Sequence, residues 1–286
     1  MDSFLGNPHD PAIEMDGNLL KQHLAQGNRA YGTAILTASP LWPPLIAKTG
    51  IDFVFIDTEH IALNRTELSW MCRTYGALGL PPIVRIPSPD PYKACQVLDG
   101  GAVGLVAPYI ETPEQVRQLV GAVKWRPLKG KRLDSFLEGK EELEPALLKY
   151  LESKNRNHLL LINIESQPAL DQLDAILSVP GLDGVLIGPH DLSCSLGIPE
   201  EYDHPKFHKA IKSIIRSARS KGLIAGNHFC EDASLHAEWA KSGENLIVRS
   251  NDLYLFTRAL RQEIDFMKAE LGDPTKGNDN NGDLVI

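Results

Sequence analysis

The sequence has few cysteines, no long apolar run and no excess of basic residues, and each of these absences disfavours a class of protein. The four cysteines, Cys72, Cys95, Cys194 and Cys230, show no Cys-x-x-Cys spacing, so we expect a reduced intracellular protein. No segment approaches the roughly 18 consecutive apolar residues of a membrane span. The opening residues, MDSFLGNPHDPAIEMDGN, lack the basic and apolar segments of a signal peptide. We therefore expect a cytoplasmic protein without a membrane partner.

The charge balance also argues against one kind of partner. The formal net charge is −8, which disfavours nonspecific binding to nucleic acid or anionic lipid. It does not disfavour a small anionic substrate, because the local charge of a site can oppose the global sign. The 286 residues suit one large α/β domain or two smaller ones, each able to bury a core.

Short apolar runs alternate with longer amphipathic segments along the chain. Most of the runs are continuous rather than alternating, as expected for parallel strands covered on both faces. Thr112-Pro113-Glu114 carries the signals of a helix start: a capping hydroxyl, a proline at the first helical position and an acid in the first turn. The predicted strands are residues 32–38, 52–57, 82–86, 103–108, 159–165, 184–188, 223–227 and 246–250; the predicted helices lie near 40–49, 65–78, 90–99, 112–125, 168–177, 205–221 and 231–242.

Eight strands alternating with helices predict an α/β fold of the (β/α)8 TIM-barrel kind, with a doubly wound sheet as the competing architecture. Residues 126–157 do not fit a minimal repeat and are interpreted as a long charged insertion after the fourth unit. We expect an N-terminal extension and helix over 1–30 and a single barrel domain over 31–272. The polar tail over 273–286 is expected to be disordered.

Polar residues recur where the predicted strands stop. In a TIM barrel the carboxyl ends of the strands and the loops after them form the active-site face. Any single case is weak evidence, and the recurrence is the informative part. The residues are Asp57, Glu59, His60, Arg85, Asp99, Asn163, Glu165, His190, Asp191, Asn227, His228 and Arg249.

Some of these side chains are harder to assign to a purely structural role than others. Arg85 and Glu165 lie within apolar strands, where an unpaired buried charge is very costly, so each needs a partner or a metal. Asp57 could instead cap a turn, His60 could be an ordinary loop histidine, and Asp191 could cap a short helix. Those alternatives stay open from the residues alone.

Glu165 and Asp191 suit a hard divalent cation that keeps positions open for water and substrate. A nearby arginine and histidine would then complete a site for polarising a carbonyl group and moving a proton. His190, Cys194, His228 and Cys230 suggest a rival zinc site, although their spacing matches no usual structural pattern. The glycine-rich residues 100–104 lack the lysine of a phosphate-binding loop and follow no strand.

In combination, five segments resemble the HpcH/HpaI family of class II, pyruvate-dependent aldolases. They are FIDTEH, PPIVRIP, QVLDGGAVGLVAPYIETPEQ, INIES and GVLIGPHDLS, and the likeness runs from about residue 30 to residue 260. Macrophomate synthase and citrate lyase β-like proteins are relatives of that family. The resemblance implies a barrel of the phosphoenolpyruvate/pyruvate type with an extra C-terminal helix. It also implies a homo-oligomer, a hexamer in which that helix packs on a neighbour.

The resemblance also implies a role for each site residue. Glu165 and Asp191 would bind Mg2+, Mn2+ or Co2+, and Arg85 would hold the keto oxygen of pyruvate. His60 would be the base, supported by Asp57 and Asp99. Retro-aldol cleavage needs a proton removed from the C4 hydroxyl and a stabilised enolate, and no strand carries an obvious buried lysine for a Schiff base.

The chain departs from the family pattern at several positions, which affects the expected substrate. Asn163 replaces the usual glutamine, His190 replaces a small residue beside the metal aspartate, and Arg249 occupies a strand end that is usually uncharged. We therefore expect Asn163, His190, Asp191 and Arg249, with Arg85, to contact substrate. Arg249 or His228 could contact a carboxylate or hydroxyl of the acceptor part.

The predicted function is that of a metal-dependent aldolase. The enzyme would cleave a 4-hydroxy-2-oxo acid, such as a 2-keto-3-deoxy sugar acid, into pyruvate and an aldehyde through a metal-bound pyruvate enolate. The alternatives are another carbon–carbon lyase, such as an oxaloacetate decarboxylase, a macrophomate synthase-like enzyme or an acyl-CoA lyase, and a barrel that only binds a metabolite. The apolar stripe Leu253, Phe256, Leu260, Ile264 and Met267 could cover a neighbouring subunit or the chain's own barrel.

Overall fold

The computed structural model describes residues 16–274, in which eight parallel strands close into a barrel. Each strand pairs with the next along the chain, and the last strand pairs with the first. This closed order confirms the predicted (β/α)8 barrel and excludes the doubly wound sheet. The strands are β1 (Ala30–Ile35), β2 (Phe53–Asp57), β3 (Pro82–Arg85), β4 (Gly104–Ala107), β5 (Leu159–Ile164), β6 (Gly184–Ile187), β7 (Ile224–Phe229) and β8 (Leu246–Asn251).

Helices connect the strands. The predicted start at Thr112 is present, because its side chain accepts a hydrogen bond from the Gln115 amide and the Gln115 side chain reaches back. The helices are α1 (Gly17–Ala25), α2 (Pro43–Ile46), α3 (Arg65–Ala77), α4 (Pro91–Gly100), α5 (Pro113–Lys124), α6 (Gly130–Leu137), α7 (Pro145–Asn155), α8 (Gln167–Asp171), α9 (Leu173–Leu177), α10 (Pro189–Ser195), α11 (Pro205–Ser220), α12 (Ala233–Ala240) and α13 (Asp252–Leu271).

The strand residues divide between two apolar cores because successive side chains of a strand point to opposite sides. Phe55, Ile83, Val106, Leu161 and other residues of that phase fill the inside of the barrel. Their chain neighbours, such as Ile56, Val84 and Ile162, pack between the barrel and the helices. The phase of a residue along its strand therefore decides whether it faces the barrel interior.

The amino-terminal end of the barrel is closed by α1. Leu20 and Leu24 of this helix are fully buried and belong to the inner core. Lys21, on the same helix, places its Nζ 2.9 Å from Asp183 Oδ1 in the loop before β6. This closure leaves the carboxyl ends of the strands as the open face of the barrel.

The segment interpreted as an insertion, residues 126–157, contains α6 and α7. Arg132 donates to Glu141 at 2.8 Å and to Glu144 at 2.6 Å, linking α6 to the loop before α7. Trp125 and Phe136 pack edge to face with ring centroids 5.0 Å apart. Part of the charge of this segment therefore forms ion pairs within the segment itself.

Helix α13 extends beyond the barrel and leaves its apolar stripe uncovered. Phe256, Leu260 and Ile264 are 56%, 49% and 47% exposed, and Met267 is also exposed. Leu253, at the start of the stripe, packs against the inner core of the barrel, whereas the stripe from Phe256 onward does not pack on the chain's own barrel. Between residues 16 and 274, no helix combines the length and the apolar character needed to cross a membrane. The predicted tail lies outside the described residues from position 275 onward.

Candidate active site

Charged and polar side chains project into the open end of the barrel from several strands. Asp57 follows Phe55 by two positions, Arg85 follows Ile83 by two, and Asn163 and Glu165 continue the phase of Leu161. Because Phe55, Ile83 and Leu161 lie in the inner core, all four polar residues share the inside of the barrel. The structure thus brings together four of the residues that the sequence pattern singled out.

Arg85 is buried and held by a bidentate contact with Asp57. Its Nε donates to Asp57 Oδ1 at 2.9 Å and its Nη2 to Asp57 Oδ2 at 2.5 Å, and its guanidinium lies 5.8 Å from the centroid of the Phe55 ring. Burial alone would raise the pKa of Asp57, but the hydrogen bonds and charge of Arg85 hold that pKa below its ordinary value. Asp57 in turn raises the pKa of Arg85 above its ordinary value against the effect of burial. Arg85 is therefore a permanently charged donor of fixed orientation.

Glu59 connects Arg85 to His60, a role that the sequence did not reveal. Glu59 Oε2 lies 3.2 Å from Arg85 Nε and 3.8 Å from His60 Nε2. The His60 side chain is 41% exposed, whereas that of Glu59 is 9% exposed. Asp57 was expected to orient His60, but its hydrogen bonds go to Arg85 and to the Glu59 amide. Glu59 is thus the acid that lies against the His60 ring.

Both carboxylate oxygens of Glu165 accept hydrogen bonds from groups at the open end of the barrel. Oε1 accepts from the Tyr109 amide at 2.8 Å, and Oε2 accepts from Asn163 Nδ2 at 2.8 Å. The pKa of Glu165 is raised to about 7, mainly by burial and also by the charges of Asp191 and Glu59, while the Tyr109 amide and Arg85 oppose this rise. Glu165 is therefore held in place in a setting that disfavours its negative charge.

Gly188 makes the room that Glu165 occupies. A Cβ at this position would lie 2.8 Å from Glu165 Oε2 and 3.3 Å from Asn163 Nδ2. Any larger residue after β6 would therefore displace the carboxylate or its partner. Asp191 follows in the first turn of α10, exposed and close enough for its charge to raise the pKa of Glu165.

Glu165 and Asp191 fit a hard divalent cation that completes its coordination with water or a ligand. A cation between them would relieve the unfavourable charge of Glu165. Asn163, which donates to that carboxylate, has a buried Oδ1 without a hydrogen-bond partner among the described residues.

The rival zinc site is not assembled. Within residues 16–274, no group of three or more His, Cys, Asp or Glu residues could hold a metal. Cys194 is exposed on α10, and His228 Nε2 faces the Ser250 carbonyl oxygen at 3.2 Å. The described part of the chain therefore offers Glu165 and Asp191 as the pair to which a cation would need to add other ligands.

Asp99 lies at the opposite end of the barrel from His60. Helix α4 begins after β3 and returns toward the start of β4, and Asp99 is its next-to-last residue. The Asp99 side chain is 76% exposed and pairs with Arg126 Nη1 at 2.7 Å, just after α5. The prediction that Asp99 orients His60 is therefore wrong within this chain, because the length of the barrel separates the two residues.

Arg249 also differs from its prediction. It has the opposite phase to Val248, which lies in the inner core, so its side chain leaves the barrel. Its guanidinium donates to the Phe229 carbonyl at 2.6 Å and to the Glu231 carbonyl, and so clamps the loop after β7. The expected substrate contact of Arg249 is wrong on this geometry.

His190 is exposed at the start of α10, and its Nδ1 lies 3.6 Å from Glu200 Oε1 on the loop that follows. Its predicted contact with substrate stays a prediction. Tyr109, which the sequence pattern did not indicate, adds both its amide and its side chain to the site, and hydrogen bonding to Glu59 raises the pKa of its phenol. Its φ of 56° is unusual for an aromatic residue, and the sequence carries no signal for that conformation.

Comparison with known proteins points to one family. A sequence model of the HpcH/HpaI aldolase/citrate lyase family matches residues 37–259. A 2-keto-3-deoxy-L-rhamnonate aldolase of Salmonella gallinarum is 32% identical over 252 residues, which cover 88% of this chain and 94% of that protein. The protein of the same name from Klebsiella pneumoniae is 31% identical over 257 residues, covering 90% and 96%.

Solved structures agree with the sequence relatives. An HpcH/HpaI aldolase from Desulfitobacterium hafniense superposes with a TM-score of 0.76 at 26% identity, covering 91% of this chain and 99% of that one. The citrate synthase SbnG gives 0.76 at 29% identity, covering 89% and 99%. Macrophomate synthase, at 24% identity and a TM-score of 0.71 over 88% and 89% of the two chains, shares the fold.

Proposed function

Since this chain belongs to the HpcH/HpaI aldolase/citrate lyase family of carbon–carbon lyases, we propose that it is a divalent-metal-dependent aldolase acting on a 4-hydroxy-2-oxo acid. The substrate class we propose is a 2-keto-3-deoxy sugar acid, cleaved into pyruvate and an aldehyde, and the named activity of the relatives supports this choice. The observation that carries the proposal is the buried Arg85, held by Asp57 beside the carboxylate of Glu165.

Glu165 and Asp191 would hold the divalent cation. When bound, the cation would supply a Lewis acid that polarises the 2-oxo group of the substrate. Asn163 and the Tyr109 amide keep the Glu165 carboxylate facing the open end of the barrel. These supports reduce the reorganisation needed when substrate enters.

Arg85 would stabilise the negative charge that develops on the pyruvate part. Two of its five N–H groups bond to Asp57, so others remain for the oxygen that becomes negative. A donor that is already oriented and desolvated stabilises developing charge more strongly than water does. Asp57 is thus a positioning residue for Arg85.

His60 would take the proton of the C4 hydroxyl. As that proton leaves, C4 becomes the aldehyde carbon, the C3–C4 bond breaks and its electrons pass to the pyruvate part. Glu59, with Oε2 3.8 Å from His60 Nε2, would stabilise the imidazolium that results. Protonation of C3 then completes pyruvate.

A panel of 2-keto-3-deoxy acids assayed for pyruvate release tests the proposal directly. We expect release with Mg2+, Mn2+ or Co2+ and none after chelation. Retained release in excess chelator would contradict the metal requirement. Cleavage of citrate without release of pyruvate from any 2-oxo acid would favour the citrate-type lyases of the family, and binding without cleavage would favour a metabolite-binding barrel.

Metal binding can be measured without turnover. Titration of the protein with Mn2+ should show one site in the wild type and its loss in Glu165→Gln. Glu200→Gln is the matched control, because it makes the same chemical change in the loop after α10, where Glu200 pairs with His190 and is not one of the two proposed metal ligands. Equal Mn2+ affinity in wild type and Glu165→Gln would remove Glu165 from the metal site.

We also propose that the chain forms a homo-oligomer in the cytoplasm. The uncovered stripe on α13 supports a partner subunit, and the four unpaired cysteines are consistent with a reducing compartment. The hexamer implied by the family resemblance is the expected assembly.

A further inference from the structure

His228 lies inside the mouth of the barrel, on the same aromatic ring as Arg85. It shares the phase of Ile224 on β7, and Ile224 belongs to the inner core. The centroid of its ring is 5.4 Å from that of Phe55, over which the Arg85 guanidinium also lies at 5.8 Å. Arg85 and His228 therefore both pack against the Phe55 ring. The proposed reaction assigns no role to His228.

The hydrogen bonds of His228 determine which ring nitrogen carries the proton. Nε2 lies 3.2 Å from the Ser250 carbonyl oxygen, which can only accept, so Nε2 carries hydrogen. Cys230 Sγ is 3.6 Å from the same nitrogen, which therefore cannot act as its base. Burial, followed by the charge of Arg85, lowers the pKa of His228 to about 4. The ring is neutral at physiological pH, and its contacts with Ser250 and Cys230 both lie at Nε2, which leaves Nδ1 as the acceptor.

A neutral acceptor is the group best suited to this position. Asp57 and Glu59 already lie against the guanidinium, so a further carboxylate would compete with them, and a cation would repel Arg85. A neutral imidazole accepts a hydrogen bond while leaving the Arg85–Asp57 pair intact. Arg249, the other strand-end residue considered for this contact, points out of the barrel and donates to the Phe229 and Glu231 carbonyl oxygens.

We propose that His228 is a specificity-determining residue whose Nδ1 accepts a hydrogen bond from a hydroxyl group on the aldehyde-derived part of the substrate. The inference rests on the proposed function and narrows its substrate class to acids with a hydroxyl beyond C4. The 2-oxo acid part of the substrate would contact Arg85 on one side of Phe55. The hydroxyl group beyond C4 would then donate a hydrogen bond to His228 on the other side. A substrate without that hydroxyl would leave the acceptor unpaired in a partly desolvated site, which is how hydrogen-bonding sites reject deoxy analogues.

Two substrates that differ only at C5 test the inference. One is 2-keto-3-deoxy-L-rhamnonate, which is 4,5-dihydroxy-2-oxohexanoate, and the other is 4-hydroxy-2-oxohexanoate, which lacks the C5 hydroxyl. For the wild type we expect a kcat/KM ratio of about 10 to 100 in favour of the hydroxylated acid. In His228→Leu the ratio should fall to about 1. The fall should come from a lower kcat/KM for the hydroxylated acid, with little change in kcat/KM for the acid that lacks the C5 hydroxyl.

Two further variants make the result decisive. His228→Asn, which keeps an acceptor oxygen, should retain part of the preference even where His228→Leu folds poorly. Arg249→Met should keep the wild-type ratio, because Arg249 lies outside the barrel mouth. An unchanged ratio in both His228 variants, or a ratio lost in Arg249→Met, overturns the inference while leaving the aldolase proposal standing. Absence of pyruvate release from both acids in the wild type would instead overturn the proposed function.

Discussion

At the scale of single residues, the Arg85–Asp57 pair determines whether the site can assemble. Both side chains are buried, and Asp57 binds two N–H groups of the guanidinium. Removing the carboxylate charge leaves a buried cation that loses its bidentate partner and keeps only the weaker influence of Glu59 and Glu165. The pair is thus a structural requirement as well as a catalytic one.

We predict that Asp57→Asn lowers kcat by about 100-fold or more and destabilises the fold by about 3 kcal/mol, because breaking one side of a buried ion pair strands the other charge. Urea unfolding and steady-state kinetics measure the two effects. Glu114→Gln is the control: it removes an exposed ion pair with Arg117 and should cost less than about 1 kcal/mol. A similar small cost for both variants would show that Arg85 does not depend on Asp57.

Residue-level prediction from the sequence succeeded where the phase of a strand decided the outcome. Arg85 and Glu165 interrupt apolar strands, and a buried charge needs a partner; the structure supplies Asp57 for the first. Because side chains alternate along a strand and Val248 faces the barrel interior, the next residue, Arg249, could also have been predicted to point out of the barrel. The contacts of Glu59 with Arg85 and of Tyr109 with Glu165 join residues at the ends of different strands, so no local pattern in the sequence predicts them.

At the scale of secondary-structure elements, all eight strands were predictable because continuous apolar runs between helical segments are typical of parallel strands buried on both faces. Short helices were harder to predict. The predicted helix over 168–177 is divided into α8 and α9 at Gln172, and the one near 40–49 is reduced to α2. Asp99 was misplaced because α4, which starts at its cap Asp90, carries its last turn to the opposite end of the barrel.

The junction of β8 with α13 depends on one buried carboxylate. Asp252 accepts hydrogen bonds from the amides of Leu36 at 3.0 Å, Thr37 at 3.2 Å and Leu253 at 2.9 Å. We predict that Asp252→Ala costs about 2 kcal/mol in the free energy of unfolding, because buried amides lose their acceptor. Urea denaturation measures the cost, and hydrogen exchange should show faster exchange near the start of α13.

The exposed helix cap Asp232 is the control for this junction. It accepts from Ser234 and Leu235 amides at the start of α12, and Asp232→Ala should cost about 1 kcal/mol without changing exchange in α13. Equal exchange at α13 in wild type and Asp252→Ala would show that the carboxylate does not fasten that helix.

At the scale of the whole molecule, stability should depend on the protonation of His158, which directly precedes β5 at the amino-terminal end of the barrel. Burial lowers the pKa of His158 to about 4, and the charges of Arg126, Lys124 and Lys21 act in the same direction while Asp99 opposes them. In the unfolded chain His158 therefore becomes protonated near pH 6.5, whereas in the native protein it becomes protonated only near pH 4. Stability contributed by the neutral ring is present above pH 6.5 and is lost as pH falls toward 4.

We predict that His158→Gln weakens this acid sensitivity. Between pH 7 and pH 5 the wild type should lose on the order of 2 kcal/mol more than the variant, because glutamine does not titrate. Urea midpoints at both pH values measure the difference, and other titrating groups cancel in the comparison. Identical pH dependence in the two proteins would mean that His158 is protonated equally in the native and unfolded states.

The assembly of the molecule provides the last prediction. Phe256, Leu260 and Ile264 recur along one face of α13, and each is about half exposed in the isolated chain. Burial of such a stripe against another subunit would stabilise an oligomer by the apolar area it removes from water. We therefore expect the wild type to run as a homo-oligomer in light scattering coupled to size exclusion. Leu260→Glu with Ile264→Glu should shift it to smaller species, because two charges would be buried at the contact.

Gln262→Glu is the matched control, since it also introduces a carboxylate on an exposed residue of α13 but lies on the face of the helix opposite the stripe. It should leave the oligomer intact. The double variant should remain folded, because α13 buries only Asp252 fully against the barrel. If the double variant and the control elute at the same oligomeric mass as the wild type, or if the wild type is itself monomeric, the stripe is not a subunit contact. A smaller assembly in the double variant alone would assign α13 to the interface.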